Sequence, residues 1–126
     1  MTNTRVLFRL ELDDVHPSLN KWAIANRFAA NKEKQVWKEM VYWACKEKGI
    51  KATIRGPVRV EIHYKFKDKR RRDCDNYTPK FILDGLVEAG VLVDDSCDIV
   101  TELLIKMSIG TGETKTIISL HELDPL

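Results

Sequence analysis

The sequence of 126 residues predicts one α+β domain with a mixed, mostly antiparallel sheet of about four strands. Two main helices are expected, in the order β-α-β-α-β-β. Several segments alternate apolar and polar residues, as half-buried strands do, while two others repeat apolar residues at helical spacing. A glycine-containing turn near the end predicts a hairpin, and no βαβ repeat is evident, which favours α+β. The length is that of one ordinary domain, so residues 1–126 are expected to form a single unit.

The first half of the chain contains one strand and one helix. The alternation of Val6, Phe8, Leu10 and Leu12 indicates the strand, and a turn-rich break follows at residues 13–18. Residues 31–48 are predicted to be helical, ending at Gly49. Residues 19–30 are ambiguous, since they fit either an extension of this helix or an irregular arm. The apolar residues of the helix are Val36, Trp37, Met40, Val41 and Ala44.

The second half opens with the clearest strand, which covers residues 58–66. A second helix is predicted to be capped by Asn76 or Thr78, with Pro79 in its first turn, and to end at Gly90. Two strands follow, joined by a hairpin turn at residues 110–112. Their inward faces are assigned to Ile99, Thr101, Leu103, Ile105 and Met107, and then to Thr116, Ile118 and Leu120.

The composition disfavours several classes of protein. No apolar run approaches the roughly 20 residues that a membrane-spanning helix needs, and no signal segment is recognised at the start. We therefore expect a cytoplasmic protein. Three cysteines argue against a disulfide framework, and the three scattered histidines argue against a structural zinc site.

Residues 65–72 concentrate the positive charge of the chain. They hold six basic residues and one acid, a charge of +5, which leaves −3 for the rest of a chain whose net charge is +2. Such a patch indicates that a polyanion binds at one place, although a solvated basic turn is an equally good interpretation of the patch alone. Arginine is suited to phosphate because its planar guanidinium binds two oxygens at once.

Asp73 and Asp75 follow this basic segment directly. In an extended chain their side chains would point to the same face, where two carboxylates repel unless a cation lies between them. Mg²⁺ prefers such oxygen ligands together with water and phosphate oxygens, which suits phosphodiester cleavage. A third carboxylate is available at Asp94 or Asp95 if the chain doubles back after the second helix. The simpler alternative is that the arginines neutralise Asp73 and Asp75 in weak surface ion pairs.

Lys80 lies about one helical turn beyond Asn76. It could hold a substrate phosphate or the attacking water, or stabilise the leaving group. Its spacing from Asp84 also fits an ordinary i, i+4 ion pair, which spacing alone favours.

Taken together, these motifs resemble the RusA family of Holliday junction resolvases. The family pattern is R-R-D-x-D-N, a lysine, D-A-L, an A-G turn and D-D. This sequence shows it as Arg71-Arg72-Asp73-Cys74-Asp75-Asn76, Lys80, Asp84-Gly85-Leu86, Ala89-Gly90 and Asp94-Asp95. Pro17-Ser18-Leu19-Asn20 resembles the P-S-x-N segment after the family's first strand.

The resemblance implies a homodimer that binds four-way DNA junctions and cuts two strands symmetrically with Mg²⁺, Mn²⁺ being an alternative. It implies metal ligands at Asp73, Asp75 and Asp95 and a catalytic lysine at Lys80. The expected DNA contacts are Lys67, Lys69, Arg70, Arg71, Arg72 and Asn76. Two alternatives stay open: a nuclease that acts on flaps or forks, and a non-catalytic DNA-binding module.

Overall fold

A computed structural model describes residues 5–50 and 53–123 of the chain. Within these ranges the predicted order β-α-β-α-β-β is confirmed, with one additional short helix before the first long one. The strands are β1 (Arg5–Leu12), β2 (Val58–Lys65), β3 (Val100–Ser108) and β4 (Lys115–Glu122). The α-helices are α1 (Leu19–Ile24), α2 (Arg27–Lys48) and α3 (Lys80–Glu88), and a 3₁₀ turn covers Cys74–Asn76.

The four strands form one mixed sheet in the spatial order β1-β4-β2-β3. β4 pairs antiparallel with both β1 and β2, whereas β2 and β3 run parallel. The prediction of a terminal hairpin was therefore wrong, because β2 lies between β3 and β4. Residues 109–114 instead cross the end of β2, and β2, α3 and β3 form a βαβ unit. Glycine-containing connections look alike in sequence whether they join adjacent strands or skip one.

The core lies between one face of the sheet and the helices. Alternate residues of β2 are fully buried, as predicted, and β4 adds Ile118 and Leu120. On α2 the buried side consists of Ala30, Trp37, Val41 and Cys45. The predicted stripe was displaced by about one residue, since Val36 and Met40 lie on the exposed side. No helix in the described ranges is both long and apolar enough to cross a membrane.

The ambiguous segment 19–30 is a helix followed by a break. α1 begins after Ser18, whose hydroxyl oxygen accepts a hydrogen bond from the amide of Lys21. It ends at Ala25, and Asn26 then caps α2 by accepting from the amides of Phe28 and Ala29. The polar caps at Ser18 and Asn26 explain why the chain forms two helices here rather than one.

Candidate active site

The loop between β2 and α3 carries most of the predicted site. Its first residues stay attached to the sheet, because the amide of Phe66 donates to the carbonyl of Ser108 at 2.8 Å. The amides of Gly110 and Thr111 donate in turn to the carbonyls of Asp68 and Phe66. The loop therefore leaves the sheet at residue 69, directly before the arginine run.

Arg72 is held inside this loop. Its guanidinium donates to both carboxylate oxygens of Asp68, at 2.8 and 3.2 Å, and to the carbonyl of Arg70 at 3.1 Å. It also lies 4.0 Å from the centre of the Phe66 ring, so only 12% of its side chain is exposed. The hydrogen bonds from Arg72, and then from the amide of Arg70, lower the pKa of Asp68 to about 2. The partner of Arg72 is thus Asp68 rather than either predicted metal ligand.

Asp73 and Asp75 are exposed, but the chain around them is not extended throughout. Asp73 has extended angles (φ −108°, ψ 135°), and a 3₁₀ turn begins at the next residue. The amide of Asn76 donates to the carbonyl of Asp73 at 3.1 Å and closes this turn. The condition under which both side chains would share one face, an extended chain from Asp73 through Asp75, is therefore not met. Arg71 lies 3.7 Å from Asp73 in an ion pair between two exposed side chains, which matches the simpler alternative for this arginine.

Asn76 does not cap α3. Its side-chain oxygen accepts a hydrogen bond from the amide of Asn20 at 3.1 Å. α3 begins after Pro79 without a side-chain bond from that residue, while the Thr78 hydroxyl accepts from the amide of Lys80 at 3.4 Å. Asn76 thus ties the segment around Asn20 to the aspartate turn, a contact between two motifs 56 residues apart.

Lys80 is the first residue of α3 and is exposed. Its ammonium nitrogen lies 3.9 Å from a carboxylate oxygen of Asp84, the i, i+4 pair that its spacing suggested. With 75% of the lysine side chain exposed, this pair is weak and leaves the ammonium group accessible.

Asp95 lies in the exposed segment that leads from α3 into β3. Its amide donates to the side chain of Asp94 at 2.9 Å, and the hydroxyl of Ser96 donates to Asp98. The 3₁₀ turn that contains Asp75 lies against β3, the strand that follows Asp95. Even so, no three His, Cys, Asp or Glu side chains in the described ranges are placed together to hold one metal ion.

The chemistry of the donors nevertheless fits Mg²⁺. Asp73 and Asp75 are both accessible carboxylates, and Mg²⁺ is commonly held by one or two carboxylates together with water and substrate phosphate oxygens. Thiolate and imidazole ligands, which zinc prefers, contribute no cluster in the part of the chain that is described. Asp73 and Asp75 are therefore the residues best suited to begin a site for a hard cation.

His16 is a central element that the sequence did not reveal. It is 2% exposed, its Nε2 lies 2.6 Å from the Tyr64 hydroxyl, and its Nδ1 lies 2.9 Å from the carbonyl of Pro17. Because that carbonyl can only accept, Nδ1 carries the proton and Tyr64 donates to Nε2. Trp22 stacks on the ring with centroids 5.5 Å apart, and Phe81 of α3 meets it edge-on. A histidine in a turn-rich segment gives no sequence signal of such burial.

This histidine fixes the segment that reaches the aspartate turn. Pro17 follows it directly and Asn20 comes four residues after it, and the amide of Asn20 donates to the side-chain oxygen of Asn76. Burial lowers the pKa of His16, so the imidazole is neutral at pH 7. The P-S-x-N segment is thereby anchored at one end in the core and at the other on the loop of the site.

Comparison with known proteins agrees with the motifs. A family model described as endodeoxyribonuclease RusA matches residues 15–121. Curated relatives named crossover junction endodeoxyribonuclease RusA come from Escherichia coli (strain K12), Escherichia coli O6:H1 and Shigella sonnei (strain Ss046). Each is 31% identical to this chain over 98 residues, which cover 76% of this chain and 80% of the relative.

Proposed function

This chain belongs to the RusA family of endodeoxyribonucleases, and on that basis we propose that it resolves Holliday junctions by paired phosphodiester hydrolysis in DNA recombination and repair. One observation carries the proposal: the family match spans the whole loop in which accessible carboxylates follow a basic run. A DNA-binding module would have no use for these carboxylates, since they repel phosphate unless a metal intervenes. We assign the activity to a single domain of residues 1–126 and place the protein in the cytoplasm.

Asp73, Asp75 and Asp95 are the proposed ligands for Mg²⁺, with Mn²⁺ as the alternative ion. The exposed position of all three supports this assignment, and Asp95 joins the other two through its place in the family motif. A bound ion would lower the pKa of a water molecule and offset charge on the scissile phosphate. Lys80 would hold a substrate phosphate or stabilise the leaving oxygen, for which its accessible ammonium group is suited.

The DNA strand would be guided by the basic loop. Lys67, Lys69, Arg70 and Arg71 are exposed, and phosphate contacts of this kind supply most of the affinity for DNA. Arg72 can add a contact only through the small part of its side chain left exposed, so its main role would be to hold the loop. Asn76 would position the aspartate turn through its bond with Asn20. The complete proposed DNA-contact set is Lys67, Lys69, Arg70, Arg71, Arg72 and Asn76.

Paired cutting requires two active sites, so we propose that the active form is a homodimer on a four-way junction. The test is cleavage of a synthetic four-way junction by the purified chain in Mg²⁺, beside a fork, a flap and a linear duplex. We expect symmetric nicks in the junction, and loss of cutting with retained binding in the Asp73→Asn, Asp75→Asn and Asp95→Asn variants. Glu122→Gln, which neutralises an exposed carboxylate paired with Arg5, is the matched control.

The outcomes separate the alternatives. Preference for the fork or flap would assign the same site to another branched substrate. Binding without cutting in Mg²⁺ or Mn²⁺ would support the non-catalytic module and overturn the nuclease. Equal cutting by the Asp73→Asn variant would refute the assignment of this residue as a metal ligand.

A further inference from the structure

α2 carries an apolar stripe that no described element covers. Phe28 is 78% exposed, Trp43 64%, Val36 48% and Met40 36%. At about 100° per residue, these four side chains fall within roughly a third of the helix circumference. Single exposed apolar residues are ordinary, but several on one face of a helix indicate an interaction surface.

The C-terminal half of this stripe lies in an acidic groove. The groove runs between α2 and the end of β1, and its apolar side is formed by Val36, Met40 and Trp43. The charged residues that line it are all acids. They are Glu11, Asp13, Glu39 and Glu47.

The N-terminal end of the same stripe has the opposite character. Ile24, at the end of α1, is 88% exposed, and Phe28, four residues later in the first turn of α2, is 78% exposed; we call these two residues the apolar knob. The neighbouring exposed charges are basic, namely Lys21, Arg27 and Lys32. In the described part of the chain, neither these three residues nor Glu39 and Glu47 of the groove take part in an ion pair.

We propose that the stripe is the interface with a second copy of this chain, formed by antiparallel packing of the two α2 helices. With the two-fold axis next to Val36, Phe28 lies opposite Trp43 of the partner subunit, and Lys32 lies opposite Glu39 of the partner subunit. The knob of each copy enters the acidic groove of the other. Such a contact is isologous, so every favourable pair occurs twice.

The spacing along the helix makes both contacts form together. Phe28 and Trp43 are 15 residues apart, about 22 Å at 1.5 Å per residue. In an antiparallel pair this separation is the same for both copies, so filling one groove brings the second knob to the second groove. A second copy would cover the exposed apolar side chains and pair the exposed acidic and basic side chains at the same time. A basic peptide would cover only the groove.

This inference deepens the proposed function, since it names the surface that would join the two copies needed for paired cuts. The test measures mass rather than cleavage: sedimentation equilibrium of the wild type, Lys32→Glu, Glu39→Lys and the double variant, with circular dichroism to verify folding. Each single variant places like charges opposite each other, so we expect its dimer to weaken by about tenfold or more. The double variant reverses both charges, so it should recover to within about threefold of the wild type.

Three results would overturn the interface. The first is a wild-type chain that stays monomeric at roughly 100 µM, which would leave the groove to a basic partner of another kind. The second is a dimer that the single variants leave unchanged, which would assign the dimer to another surface. The third is a double variant as weak as the singles, which would show no pairing between Lys32 and Glu39. Junction cleavage by the wild type is measured separately, and it tests the proposed function independently of the oligomeric state found by sedimentation.

Discussion

Arg72 binds both carboxylate oxygens of Asp68 while its guanidinium covers the Phe66 ring at 4.0 Å. A two-point hydrogen bond of this kind fixes orientation as well as distance. It closes the loop one residue before Asp73, so the position of the first proposed metal ligand depends on an ion pair that does not contain it. The arginine run is therefore divided in role: Arg72 shapes the loop, and its neighbours face solvent.

Asp68→Asn is expected to slow cleavage more than it weakens DNA binding. The substitution removes the charge and one of the two acceptors that hold Arg72, so the aspartate turn loses its fixed position. Misplacement of a catalytic group by about 1 Å costs up to about a hundredfold in rate, and we expect a loss of about tenfold here. Single-turnover cleavage and junction affinity are measured in parallel, with Glu122→Gln as the control that removes charge from an exposed Arg–carboxylate pair. A fall in affinity equal to the fall in rate would contradict a positioning role.

The exposed arginines are expected to set the salt dependence of binding. Arg70→Ala and Arg71→Ala should each lower the slope of log affinity against log salt by about 0.9, the value for one lost phosphate contact. Arg72→Lys, which keeps the charge but loses the two-point bond, should leave the slope nearly unchanged while it slows cleavage. Lys48→Ala, at the far end of α2, is the control. Unchanged slopes for Arg70 and Arg71 would show that they do not contact the backbone.

Much of the fold follows from periodicity in the sequence. Alternation located β2 because every second residue from Val58 to Tyr64 is buried against the helices. The order of the strands in the sheet cannot be predicted from periodicity, because alternation shows which residues are buried and not which strands pair. The residues around Gly110 indicate a turn, but whether β4 pairs with β3 or with β2 depends on which edge the βαβ unit leaves open. That choice is made by contacts between distant segments and not by the turn itself.

The site shows the same division. Composition and spacing point to Asp73, Asp75 and the basic run as candidates, since charge and ligand chemistry are local properties. The hydrogen bond from Asn20 to Asn76 and the pairing of Arg72 with Asp68 are tertiary contacts. The sequence instead favours Asp73 or Asp75 as the partner of Arg72 and a helix-capping role for Asn76. The relation of Asp95 to the other carboxylates also depends on the tertiary path, and the three-ligand metal site remains a prediction.

The buried His16 should make stability fall on the acid side of neutrality. Burial holds its folded-state pKa below the ordinary 6.5, so the unfolded chain binds a proton at a higher pH than the fold does. Below about pH 6.5 the free energy of unfolding therefore drops, by at most about 1.4 kcal/mol per pH unit, until the folded histidine also titrates. Thermal unfolding from pH 7.5 to 5.5 measures this. His16→Gln, which cannot titrate, should be less stable at pH 7.5 but flatter in profile, and parallel profiles would contradict the assignment.

Tyr64→Phe tests the same bond from the other side. The variant keeps the ring but removes the hydroxyl that donates to Nε2 of His16, leaving a buried acceptor without its partner. We expect a loss of about 1–3 kcal/mol in the free energy of unfolding, measured by urea titration. Tyr42→Phe is the control, since Tyr42 is only partly buried on α2. A loss no greater than that of the control would mean that the His16–Tyr64 bond contributes little.

A side chain at Gly85 is expected to destabilise the protein, although this glycine lies inside a helix. A Cβ there would lie 2.7 Å from Cβ of Val41 and 2.8 Å from the carbonyl oxygen of Lys38, so α2 and α3 would have to separate. Alanine improves helix propensity by about 1 kcal/mol, while overpacking a core costs about 1–3 kcal/mol, and contact with backbone places this site toward the upper end. Gly85→Ala should therefore lower the free energy of unfolding, even though alanine is the residue of the family pattern at this position.

Gly90→Ala distinguishes two reasons for a glycine, namely a steric clash of the added Cβ and a positive φ that strains other residues. Gly90 has φ +78° and open space around its Cβ position, so alanine there meets backbone strain of about 1–2 kcal/mol but no clash. Urea unfolding of both variants gives the comparison, and a second substitution, Val41→Ala, should partly rescue Gly85→Ala and leave Gly90→Ala unrescued. The rescue is only partial because Val41→Ala removes the contact with Cγ1 of Val41 but keeps those with its Cβ and with the carbonyl oxygen of Lys38. A Gly85→Ala variant as stable as the wild type would mean that the two helices can separate at negligible cost.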